Sequence, residues 1–87
     1  MKLYKYSNGK CNISGVKIRE LREVSNLSQE QLAAKLQLAG LNLNQKAISR
    51  IETGERVVPD YELLFFAKIF NVSVLDLLKK GKEEHPS

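Results

Sequence analysis

The sequence predicts an all-α fold, a compact bundle of five short helices, and three observations carry that prediction. Apolar residues recur at three- and four-residue intervals along most of the chain. The stretches patterned in this way are separated by residues that start or stop helices: Asn26, Ser28, Gly40, Asn44, Gly54, Pro59, Asn71 and Ser73. Strand-like alternation is confined at most to the first six residues, Met1 to Tyr6.

The first helix is expected from about Ser14 to Val24, with Val16 or Ile18, Leu21 and Val24 facing the core and Lys17, Arg19, Glu20 and Glu23 facing outward. Asn26 suits the left-handed residue that ends it. Ser28, with Gln31 three residues on, reads as a capping box opening a second helix. Leu32, Ala33 and Leu36 form its inner face, and Gly40 stops it. Asn44 caps a third helix from Gln45 to about Thr53, with Ala47, Ile48 and Ile51 inward and Gly54 as its end. Pro59-Asp60 opens a fourth, because proline suits a helix start and an acid suits its positive end. Leu63, Phe66 or Ala67, and Phe70 supply its stripe, and Asn71 closes it. Ser73, with Asp76 three residues on, caps a short fifth helix through Leu78. Gly81 and the polar tail after it are expected to fray.

Composition narrows the function. At 87 residues the chain holds one domain with a modest core. One cysteine, Cys11, cannot build a disulfide framework and fits a reducing compartment. One cysteine and one histidine, His85, leave a zinc site of the Cys/His type without ligands. No apolar run approaches the ~18 residues of a membrane span, and the first residues lack a signal-peptide apolar stretch, so a cytoplasmic location is expected. The carboxylates Glu20, Glu23, Glu30, Asp60 and Glu62 fall at positions expected to be exposed or capping. No catalytic constellation is visible, so an enzyme is not expected, nor is a cofactor. The net charge of +4 suits an acidic partner such as nucleic acid. It is unevenly spread: residues 1–22 carry +5, whereas residues 59–78 carry −2.

The third helix has a pattern that core-building does not require. Its outward residues are Gln45, Lys46, Ser49 and Arg50, side chains able to read base edges or hold phosphates in a major groove. They begin at the N-terminal half, the end that enters the groove in helix-turn-helix proteins. A solvated polar face would have the same composition.

Two segments separate these readings. Leu27-Ser28-Gln29-Glu30-Gln31-Leu32-Ala33 and Ile48-Ser49-Arg50-Ile51-Glu52-Thr53-Gly54, in this order within Ile18 to Leu78, resemble the lambda-repressor-like helix-turn-helix family, the Cro, phage-repressor or XRE group. The resemblance implies a DNA-binding domain over residues 13–79, with an N-terminal arm at 1–12 and a polar tail at 80–87. By the same resemblance, Gln45, Lys46, Ser49 and Arg50 read bases, Arg50 alternatively touching phosphate. Gln29, Asn44 and Arg56 contact phosphates, and Gln29 also braces the recognition helix; from the residues alone Gln29 is simply the first residue of a capped helix. Arg22 and Glu52 match an internal ion pair joining the first helix to the third. Removing one partner of such a pair, if it is buried, costs roughly 3–5 kcal/mol.

The stretch Gln37 to Leu43 departs from the family, carrying about five residues more than the usual four-residue turn of this motif. A second helix lengthened to Gly40, followed by a loop with Leu41 and Leu43 packed inward, would absorb them. The last two helices hold more apolar residues than a small core uses. Tyr61, Phe65, Leu75 and Leu78 are the expected interface of a homodimer, the arrangement the family implies for a transcriptional repressor. The alternative is an antitoxin-like or bridging module that binds a protein partner through the same two helices. Lys2, Tyr4, Lys5, Tyr6 and Lys10 could give the arm contact with DNA, but a loosely packed tail is the simpler expectation.

Overall fold

The computed structural model describes residues 9–79. They form five helices: α1 (Gly15–Val24), α2 (Gln29–Ala39), α3 (Gln45–Thr53), α4 (Asp60–Phe70) and α5 (Val74–Leu77). No strand occurs among the described residues. The expectations for the arm residues Lys2, Tyr4, Lys5 and Tyr6, and for Gly81, His85 and the rest of the tail, concern residues outside these.

The helix boundaries follow local chemistry. The Ser28 hydroxyl accepts from the Gln31 amide, and the Gln31 side chain returns the bond to the Ser28 N–H. Ser73 and Asp76 repeat that capping box at α5, and the Asn44 carboxamide accepts from the Ala47 N–H at 2.9 Å. These bonds satisfy amides that the helices leave without an internal partner. Asn26 and Asn71 take left-handed backbone at φ 59° and 56°. Pro59 stands just outside α4 as its cap residue, with Asp60 the first helical position.

α3 lies against both α1 and α2, while α4 backs onto α2, α1 and α5. Their shared core contains Ile18, Leu32, Leu36, Ile48, Ile51, Phe66 and Leu77, all without solvent exposure. Each such side chain contributes about 1.5–3 kcal/mol through removal from water. The long connection between α2 and α3 is ordered by the same core. Leu41 and Leu43 are buried, and the Gln37 amide donates to the Leu43 carbonyl at 2.8 Å.

Three expectations need correction. Val16 and Val24 are exposed, at 52% and 79%. With Ile18 at the centre of the buried stripe, a helical period of 100° per residue carries both to the far side. Glu62, expected to be exposed or capping, is 3% exposed. Its carboxylate is taken inward by Arg56, at 2.7 and 3.0 Å.

Candidate nucleic-acid interface

α3 divides cleanly into two faces. Ile48, Ile51 and Glu52 point inward and are buried, while Gln45, Lys46 and Arg50 are exposed and Ser49 is half-buried. The outward face is therefore polar and its N-terminal end is open to solvent. Asn44, Lys46 and Arg50 line one shallow groove with Ala47, Glu55 and Arg56. Three of those six linings are cations and one is a carboxylate, so the groove favours an anion.

A chain of side-chain hydrogen bonds reaches this face from the interior. Arg22 grips Glu52 with Nε at 2.6 Å and Nη2 at 3.1 Å, and its Nη1 donates to the Leu27 carbonyl at 2.9 Å. Glu52 is 7% exposed, so the pair ties α1 to α3 inside the domain. Donating these hydrogen bonds to Glu52 raises the Arg22 pKa above its ordinary value against the opposing effect of burial. Gln29 then donates from Nε2 to Glu52 Oε1 at 3.0 Å, and Gln45 donates from Nε2 to Gln29 Oε1 at 2.8 Å. The paired carboxylate only accepts, so Gln29 must turn its amide nitrogen inward and its carbonyl outward. Gln45 in turn must meet that carbonyl with its own nitrogen. Its Oε1 and second N–H are left for an external partner.

Arg56 was expected to be available to phosphate, but its guanidinium already holds Glu62 in a two-point pair. Its Nη1 also donates to the Val57 carbonyl at 3.1 Å. Hydrogen bonding to Glu62 raises its pKa, with desolvation opposing. Arg56 thus anchors the α3–α4 connection onto α4.

Two residues escaped sequence reasoning. Glu62 could have been suspected as the buried partner of a nearby arginine, although the two are joined by non-helical chain. Asn12 carried no local signal at all. Its Nδ2 donates to the carbonyls of Ile51 at 3.0 Å and Arg56 at 2.7 Å, and its Oδ1 accepts from the Gly15 N–H at 2.8 Å.

The interface candidates lie on α4 and on or just after α5. Tyr61 and Leu75 are exposed at 55% and 70%, Leu78 at 37%, and Phe65 is half-buried. Phe65 joins Leu64, Ala67, Lys68, Asn71, Val72 and Val74 in a largely apolar groove across α4 and α5. Among the described residues no helix is long and apolar enough to cross a membrane, and no cluster suits a metal ion.

Comparison with known proteins agrees with this geometry. The family model described as helix-turn-helix matches residues 18–77. Searches of curated proteins and of solved structures give no significant match. The matched span runs from the buried Ile18 to the buried Leu77 and includes all of α2, α3 and α4. The chain belongs to the helix-turn-helix family, in its lambda-repressor-like group of DNA-binding regulatory domains.

Proposed function

We propose that the chain is a sequence-specific, double-stranded DNA-binding transcriptional repressor, cytoplasmic and homodimeric, that reads the major groove with α3. The observation that carries this reading is the two-faced character of α3. Its inner face is locked by the core and by Glu52, and its outer face offers Gln45, Lys46, Ser49 and Arg50. Side chains of these types form bidentate or single hydrogen bonds with base edges. Asn44 stands beside them for phosphate, and Arg56 adds the donors that Glu62 leaves unused. Gln29 offers phosphate its backbone N–H at the start of α2, because its side chain is taken by Glu52 and Gln45. Tyr61, Phe65, Leu75 and Leu78 supply the dimer contact, which would set two recognition helices about one turn of DNA apart.

The test is selection of bound sequences from a random duplex pool, followed by gel-shift titration. Lys46→Ala is expected to relax sequence preference and cost about 1–3 kcal/mol on the selected site. Unchanged affinity after replacing Gln45, Lys46 and Ser49 together by alanine sinks the proposal.

The apolar groove along α4 and α5 supports a second reading, an antitoxin-like or bridging module that holds a protein partner there. Sedimentation of the purified chain separates the two. A dimer broken by Leu75→Asp favours the repressor, and a monomer that still binds one half-site favours the partner module.

A further inference from the structure

We propose that Asn12 is a positioning residue for DNA reading, setting the angle at which α3 presents Gln45, Lys46, Ser49 and Arg50. The inference rests on the DNA-reading function proposed above and extends it to a residue outside the matched span of 18–77.

α3 is held at three places. Its N-terminal end is seated by buried Leu43 and by the Gln29–Gln45 hydrogen bond. Its inner face is held by Glu52 on Arg22. Its C-terminal end is held by residues that precede α1. Asn12 binds the carbonyls of Ile51 and Arg56 with one amide nitrogen, and the Cys11 N–H donates to the Gly54 carbonyl at 2.7 Å. Backbones approach closely here, since any side chain at Gly15 would collide with the Ile51 carbonyl oxygen.

The chemistry of Asn12 fits no smaller residue. Its amide makes two donations and one acceptance at once. Aspartate has no donor and would face two carbonyl oxygens, and alanine makes none of these bonds. The tie acts at the end of a lever. A nine-residue helix is roughly 13 Å long, so a tilt of about 5° moves one end by about 1 Å. Base contacts tolerate about half that displacement.

The experiment compares the full chain with Asn12→Ala on three readouts: affinity for the selected site, affinity for unrelated duplex, and thermal unfolding. Asn12→Ala is expected to lower the selected-site affinity about tenfold, the worth of one misaligned base contact. Affinity for unrelated duplex and its salt dependence, which report phosphate neutralisation, stay unchanged. A purely structural tie would lower the melting temperature and leave the ratio of the two affinities intact, and that result overturns the proposal. Should Asn12→Ala fail to fold, Asn12→Ser carries the same comparison, because it keeps an acceptor for Gly15 and one donor. If the full chain selects no sequence at all, the DNA-reading proposal falls and this one with it. If the full chain selects a sequence and the variant discriminates equally well, only the role of Asn12 fails.

Discussion

Gln45 donates to Gln29 at 2.8 Å, and Gln29 donates in turn to Glu52, so the outward face of α3 is oriented by a carboxylate buried beneath it. Both glutamine amides are locked in one orientation by the single acceptor-only group at the end of the chain. The domain therefore presents a defined donor and acceptor at position 45.

Gln29→Glu reverses that polarity at its source. The donor to Glu52 disappears, and a second carboxylate takes its place about 3.0 Å from the first. The expected loss is about 1–3 kcal/mol of folding stability, from a lost bond to a charged group and like-charge repulsion. Urea denaturation measures it; a midpoint equal to that of the unmodified chain contradicts the proposed chain of polarity.

Glu52→Ala removes the acceptor on which Arg22 and Gln29 converge. A destabilisation of about 3–5 kcal/mol is expected, because Arg22 is left partly buried without a partner. Replacing both Arg22 and Glu52 by leucine should cost clearly less than the two single changes added together. A double-mutant cycle tests this, and simple additivity shows that the pair is not coupled.

Gly54 meets two demands at once. Its φ is +83°, and a Cβ there would meet Lys10 Cδ at 2.6 Å. Gly54→Ala should cost about 1–2 kcal/mol from left-handed backbone and crowding. Adding Lys10→Ala should recover the crowding part alone. Full recovery in the double variant means the backbone conformation is not costly.

Acid should loosen the N-terminus of α5. Hydrogen bonds from Ser73, then the nearby Lys79, lower the Asp76 pKa below its usual 3.8. A carboxylate lowered in the folded state stabilises above the unfolded pKa and loses that contribution as pH falls through the folded one. The capping box is therefore intact at neutral pH and opens below about pH 4. Protection of the α5 amides, after correction for intrinsic exchange, should fall over that range, and Asp76→Asn should remove that fall. A flat profile in the unmodified chain contradicts the assignment.

Much of this architecture could be read from local signals. The capping residues Ser28, Asn44 and Ser73 and the stop residues Gly40 and Asn71 act within one helical turn, so their chemistry shows in adjacent letters. Leu41 and Leu43 were legible for the same reason, as apolar letters in a loop that must pack somewhere. What stayed hidden acts across distance in the chain. Asn12 bonds to carbonyls 39 and 44 residues away, which no periodicity encodes. Val16 and Val24 looked like core because hydrophobicity alone does not say which of two possible stripes on α1 faces α3. Arg56 looked like a free cation because Glu62 lies beyond a non-helical connection, where side-chain spacing carries no geometry.

The partition of α3 has a further consequence. The residues that hold it in place, Ile48, Ile51 and Glu52, are different from those that face outward, Gln45, Lys46, Ser49 and Arg50. Under the proposed function, the outward set is a reading head largely separable from its support: new letters there would retune the preferred operator while the scaffold beneath keeps its shape. Gln45 is the exception, because it alone touches both worlds through Gln29. On the proposed reading, Lys46, Ser49 and Arg50 are the positions where a library of variants would be searched for new targets without reinforcing the fold first.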